Sequence, residues 1–175
     1  MTTAARAVLA GPASAASPGA ARDAGRPARV KFCGMTRAED AARAVALGAS
    51  YVGCIFAGGP RLVDASRARA IGAAAAGARL VGVMGAQPAD VVATLARGAG
   101  LDVVQLHADP TADDVVAVRR AWDGELWAVL RVAGTVLPAH LVDLFAVADA
   151  VVLDAKVEGA QLGGTGVALA WAELA

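Results

Sequence analysis

Residues 30–56 read VKFCGMTRAEDAARAVALGASYVGCIF, and this stretch decides the fold class. Val30–Cys33 is a short apolar run closed by a cysteine, and Tyr51–Phe56 is a second run of the same kind. Between them Arg37–Leu47 is Ala-rich at helical spacing. Thr36 followed by Glu39 predicts a capping box, and Gly48 stands where a helix C′ glycine belongs. Strand, helix and strand in this order form one βαβ unit.

Working outward, the alternation continues. Further strands are expected at Leu80–Met84, Val103–Leu106, Leu126–Val132 and Ala150–Leu153. Helices are expected at Ala65–Ala76, Ala89–Arg97, Ala112–Trp122 and Ala139–Val147, and a sixth is expected to open after Gly163–Gly166. Several strands are almost continuously apolar, as in a parallel sheet covered on both faces. Two architectures share this rhythm, a doubly wound sheet and a (β/α)8 barrel. No GxGxxG follows the first strand, which weakens the dinucleotide-binding reading. Polar and reactive residues gather instead after several different strands: Cys33, Arg61, His107, Arg131 and Asp154. In a barrel those positions form the C-terminal rim, where catalytic groups come from many strand ends. The expected fold is therefore α/β, of the (β/α)8 TIM-barrel type, with about six βα units in this chain.

The 175 residues suggest one domain, 57% hydrophobic by a count in which much is alanine. Residues 1–28 are Ala-, Gly-, Ser- and Pro-rich and are expected to be a disordered extension without strand character, leaving 29–175 as the barrel domain. The apolar run Ala7–Ala10 ends at Gly11-Pro12, too short for a typical secretory h-region. Sixteen basic residues balance sixteen acidic ones, which argues against a nucleic-acid partner. The longest uncharged stretch, Ala44–Pro60, is broken by glycines and Ser50 and reads as strand plus loop rather than a membrane span. Cys33 and Cys54 suggest neither a disulfide framework nor a CxxC metal site, and the two histidines, His107 and His140, form no zinc motif. The expectation is a reduced, cytoplasmic domain without a zinc site, its oligomeric state unspecified.

The strand ends carry the candidate chemistry. Lys31 and Cys33 point to one side of the first strand by alternation. A cysteine beside a lysine and a helix N-terminus can serve as nucleophile or base; as a free cysteine it can equally be a small buried hydrophobe. Arg61 follows Gly58-Gly59-Pro60 in a tight loop, and its fork suits a carboxylate or phosphate unless it is simply a solvated loop residue. His107, after Gln105 and Leu106, is either an acid–base group or a ring capping the barrel top. Asp154 ends the last strand, where partial desolvation favours a protonated acid, or it caps a loop. Gly163, Gly164, Thr165 and Gly166 can offer backbone N–H groups to an anion, or form a mobile loop.

Taken together, KFCGMT, FAGGPR, VGVM, VQLHA and VVLDA…GGTG…W, in that order from Val30 to Trp171, resemble the phosphoribosylanthranilate isomerase family of tryptophan biosynthesis. Gly59, Met84 and Ala108 stand where the family often has Ser, Phe and Gly, and none of these is a reacting group. The resemblance implies an Amadori rearrangement of N-(5-phosphoribosyl)anthranilate to 1-(2-carboxyphenylamino)-1-deoxyribulose 5-phosphate. It implies Asp154 as general acid and Cys33 as general base, with Arg61 holding the anthranilate carboxylate and no metal or organic cofactor. Gln105 and His107 would line the floor, and Gly163–Gly166 would lie in a loop over the site. Two alternatives are another sugar-phosphate isomerase or aldolase on the same barrel, and a catalytically incomplete barrel fragment. Six strands against the eight of a closed barrel imply that strands seven and eight, with the phosphate loops, are missing by C-terminal truncation. They also imply free edges on the first and sixth strands.

Overall fold

The computed structural model describes residues 8–10, 28–156 and 167–174. Six parallel strands alternate with five helices: β2 (Lys31–Cys33), α1 (Ala38–Ala46), β3 (Tyr51–Ile55), α2 (Ala65–Ala74), β4 (Arg79–Met84), α3 (Ala89–Ala99), β5 (Val103–Leu106), α4 (Ala112–Ala121), β6 (Glu125–Val132), α5 (Leu141–Val147) and β7 (Ala150–Ala155) among the described residues. A short strand, β1 (Val8–Ala10), precedes them. The sheet order is β1-β7-β6-β5-β4-β3-β2, so successive parallel strands lie side by side in a half-barrel. Each expected strand and the first five expected helices are found, with ends matching or shifted by one or two residues.

Side-chain alternation divides the sheet cleanly. Val52, Cys54, Leu80, Met84, Val104, Leu126, Ala128, Leu130, Val151 and Leu153 face the helices and join their apolar stripes in one core. The helices contribute small residues to it, such as Ala41, Ala44, Ala68, Ala93 and Ala96, which bring helix and sheet backbones close. Tyr51, Val81, Val103, Trp127, Val129, Ala150 and Val152 form a smaller cluster on the opposite, concave face. Both faces of the central strands are therefore covered, which is why they read as continuous apolar runs. Fully burying each such Val or Leu contributes about 1.5–3 kcal/mol.

Three local expectations are corrected. The capping box at Thr36 and Glu39 does not form: Arg37 is the N-cap without a side-chain bond, and its guanidinium takes Glu39 Oε1 at 2.8 Å. The box occurs instead at α4, where Thr111 and Asp114 cap one another. The extension 1–28 has strand character at one point, because Val8–Ala10 pairs antiparallel with Val152–Ala150. The edge of β7 is consequently covered, as a sheet edge with unpaired backbone groups invites. Beyond β7, residues 167–174 make turns (Glu173 N–H to Ala170 O, 2.9 Å) where the reading places the opening of a helix. Gly48 does close α1 as expected, at φ +88°.

Candidate functional site

β2 ends at Cys33, and Gly34 turns the chain out of the sheet at φ +84°, a left-handed conformation that glycine adopts without strain. The turn aims the N–H groups of Gly34 and Met35 at one acceptor, Gly53 O, at 2.8 Å each. Gly53 is the β3 partner of Cys33. A Cβ on Gly53 would lie 3.0 Å from Cys33 Sγ and 3.0 Å from Lys31 Cε, so its bare backbone makes room for both side chains. Arg61, from the loop after β3, reaches back over Gly34 and donates through Nη1 to Cys33 O at 3.2 Å. A Cβ on Gly34 would stand 2.2 Å from that Nη1. Cys33 and Arg61, read separately in the sequence, are thus brought together.

A second group gathers at the same end of β5 and β7. His107 Nε2 lies 3.5 Å from Asp154 Oδ2, with His107 buried and Asp154 largely so. Gln105 Nε2 meets His107 Nδ1 at 3.1 Å, and Lys31 Nζ meets Gln105 Oε1 at 2.5 Å. Asp154 Oδ1 accepts the Ala155 N–H at 3.1 Å. Lys31 and Gln105 therefore bridge the two groups across the concave face. The sequence reading noted Lys31 for its direction and as a neighbour of Cys33; nothing local announces a partner 74 residues away.

Arg131 is the β6 neighbour of Asp154 in register. Its guanidinium is engaged in a two-point pair with Asp109, Nε donating to Oδ1 at 2.8 Å and Nη2 to Oδ2. The Arg131 hydrogen bonds hold the Asp109 carboxyl below the usual carboxylate range. Asp109 takes φ +49°, which aspartate tolerates better than most side chains. Sequence reasoning missed this residue. Beside it a cleft of about 920 Å³ opens between α4, α5 and the rim, lined by Asp109, Arg131, His140 and Lys156 but by none of Cys33, His107 and Asp154.

Cys54 lies fully buried on the helix face, and burial together with the nearby Cys33 pushes its thiol up to about 12. It stays protonated and inert at neutral pH. Gly163, Gly164, Thr165 and Gly166 lie outside the described residues. Among the described residues no three His, Cys, Asp or Glu side chains gather as a metal-binding group, and no helix is long and apolar enough to cross a membrane. What the rim offers is proton chemistry: a thiol and a carboxyl on different strands, with a guanidinium on the backbone turn that follows the thiol.

Comparison with known proteins identifies the family. The family model described as N-(5'phosphoribosyl)anthranilate (PRA) isomerase matches residues 30–175. The N-(5'-phosphoribosyl)anthranilate isomerase of Bacillus licheniformis is 35% identical over 144 residues, which are 81% of this chain and 65% of the relative. The crystal structure of phosphoribosyl anthranilate isomerase from Thermus thermophilus superposes with a TM-score of 0.64 at 36% identity, over 76% of this chain and 65% of that one. A phosphoribosyl anthranilate isomerase in complex with reduced 1-(o-carboxyphenylamino)-1-deoxyribulose 5-phosphate gives a TM-score of 0.56 at 27% identity, over 61% of this chain and 55% of that one. The chain spans just under two thirds of the length of the first two.

Proposed function

The chain belongs to the N-(5'-phosphoribosyl)anthranilate isomerase family, and on that premise we propose that it converts N-(5-phosphoribosyl)anthranilate to 1-(2-carboxyphenylamino)-1-deoxyribulose 5-phosphate. The observation that carries the reading is the placement of an acid and a base, Asp154 and Cys33, at the ends of different strands on one concave rim. The ligand of the related complex is a reduced form of that product, which supports the substrate class.

The reaction needs two proton transfers in sequence. Protonated Asp154 gives its proton to the furanose ring oxygen as the C1′–O bond breaks, and the anilino nitrogen lone pair forms the C1′=N iminium. The Cys33 thiolate then removes the C2′ proton, and the released pair makes the C1′=C2′ enolamine while neutralising the iminium. Tautomerisation moves the enol proton to C1′ and leaves the C2′ ketone. The two groups stand in unlike settings, Asp154 against a buried imidazole and Cys33 in a glycine-lined turn. Arg61 binds the anthranilate carboxylate through the fork it holds over Gly34. Gln105 and His107 form the floor, and no step calls for a metal or organic cofactor.

The substrate is fluorescent through its anthranilate ring. Purified protein mixed with freshly formed N-(5-phosphoribosyl)anthranilate is expected to consume that fluorescence, and the Cys33→Ala protein is not. Loss no faster than the spontaneous background overturns the proposal.

A further inference from the structure

Lys31 opens β2 on the concave face, yet no step of the reaction above uses it. An ammonium can only donate, so the Gln105 atom that Lys31 Nζ meets at 2.5 Å has to be the carbonyl oxygen Oε1. That requirement turns the Gln105 amide nitrogen toward His107, where it lies 3.1 Å from Nδ1. The amide nitrogen donates as well, so Nδ1 must accept, and the ring proton resides on Nε2. Nε2 faces Asp154 Oδ2 at 3.5 Å. We propose that Lys31 is a positioning residue: through Gln105 it fixes His107 as the Nε2–H tautomer, so that the Asp154 oxygen facing the ring meets a donor and an Asp154 proton is directed to the substrate rather than to the imidazole.

The opposite tautomer shows what is at stake. With the Gln105 amide reversed, its oxygen would accept from Nδ1–H, and the bare Nε2 would point a lone pair at Asp154. A protonated Asp154 would then give its hydrogen bond to the imidazole instead of the furanose oxygen. Water does not readily substitute for Lys31 in this choice, because Gln105 is 1% and His107 2% exposed. The ammonium is held at this spot from two further sides. It lies 5.8 Å from the Trp127 ring centroid, and the missing Cβ of Gly53 leaves the space for its stem. Lys31 lies on β2, Gln105 on β5 with His107 just after its end, and Asp154 on β7, so the relay exists only in the folded sheet.

The catalytic consequence rests on the isomerase reading, whereas the tautomer can be observed without any turnover. Histidine labelled with nitrogen-15 reports by NMR which ring nitrogen carries the proton, and His140→Gln identifies the His107 signals. Wild-type protein is expected to show His107 with Nδ1 bare and Nε2 protonated. Lys31→Met should give a mixture or a reversal, and Lys31→Arg should restore the wild-type pattern. In the activity assay, Lys31→Met should lower kcat by about ten- to a hundred-fold, since a wrong tautomer disables an acid–base system, with KM changed less than about twofold. Should Lys31→Met fail to fold, Gln105→Glu asks the same question. Its carboxylate still accepts from Lys31 but can only accept from His107, so Nδ1–H should appear. An Nδ1–H tautomer in the wild type, or an unchanged tautomer in a folded Lys31→Met or Gln105→Glu protein, overturns the proposal. A protein that switches tautomer as described but consumes no substrate supports the relay and overturns the isomerase reading alone.

Discussion

The two ends of the same parallel strands use charged side chains in opposite ways. At the N-terminal end every charge named below is spent on backbone or on a neighbouring charge. Asp102, just before β5, clasps Leu80 twice: its N–H donates to Leu80 O at 3.0 Å, and its Oδ2 accepts the Leu80 N–H at 2.7 Å. Asp149, just before β7, repeats the clasp on Leu126 at 2.9 and 2.7 Å. Arg119 pairs with Asp149 and also donates to Gly124 O at 2.7 Å, while Arg79 pairs with Glu125. At the C-terminal end, Cys33, His107, Arg131 and Asp154 project from four strands onto one concave rim, with Arg61 beside them from a loop. One end fixes strand register; the other gathers groups that can exchange protons. This is the division of labour expected of a (β/α)8 barrel, with stability at the bottom and chemistry at the top.

The sharpest way to break that division is to truncate the two reacting groups. Cys33→Ala and Asp154→Asn should each lower kcat by about 10²- to 10⁴-fold, the usual contribution of a general acid or base. Neither should shift the unfolding midpoint much, because neither substitution removes a backbone hydrogen bond of the sheet. Steady-state kinetics beside thermal melts checks both halves. More than a third of wild-type kcat surviving in both variants would remove these residues from the chemistry.

The complementary test strikes the other end. Asp149→Ala leaves the Leu126 N–H, on a residue with no exposed surface, without its side-chain acceptor. An unmade bond of that kind costs about 1–3 kcal/mol. Asp149→Asn keeps an acceptor and loses only the charge facing Arg119, an exposed pairing worth about 0–1 kcal/mol. Urea unfolding should therefore rank the variants wild type, Asn, Ala. Turnover per folded molecule should stay near wild type in both. A collapse of kcat in Asp149→Ala, matching that of Asp154→Asn, would erase the distinction between the ends.

The same contrast explains what could be read in the sequence. The strands were legible because burial on both faces writes itself as runs such as Val103-Val104 and Val151-Val152-Leu153. The rim was legible because Cys33 and Asp154 interrupt those runs where they end. Capping was misread because Arg37 competes for Glu39, a contest that spacing alone does not reveal, while the Thr111–Asp114 box carried aspartate at the third position. β1 was missed because three residues in an Ala- and Gly-rich stretch become a strand only through pairing with β7. The path from Lys31 through Gln105 to His107 joins β2 to β5, and no local pattern encodes which strands will meet across a curved sheet. Gly53 had a signal that was not used. A glycine in a strand interior often marks a close approach of other groups, and here those groups are Cys33 and Lys31.

The smallest expected effect belongs to Arg61, which sits at the rim without being a proton carrier. One of its N–H groups is committed to Cys33 O, and the guanidinium plane lies over Gly34, where no Cβ intervenes. The remaining donors of the fork are left to meet a planar anion such as the anthranilate carboxylate with two parallel bonds. Arg61→Lys keeps the positive charge and loses that geometry. The carboxylate does not change during the rearrangement, so its contact contributes equally to ground and transition states. Weakening such uniform binding raises KM with little change in kcat. An increase of about tenfold in KM corresponds to about 1.4 kcal/mol, and steady-state kinetics at several substrate concentrations resolves it. If Arg61→Lys instead leaves KM unchanged and kcat collapses, Arg61 acts on the charge that develops as the ring opens. The rim would then carry a third participant in the chemistry.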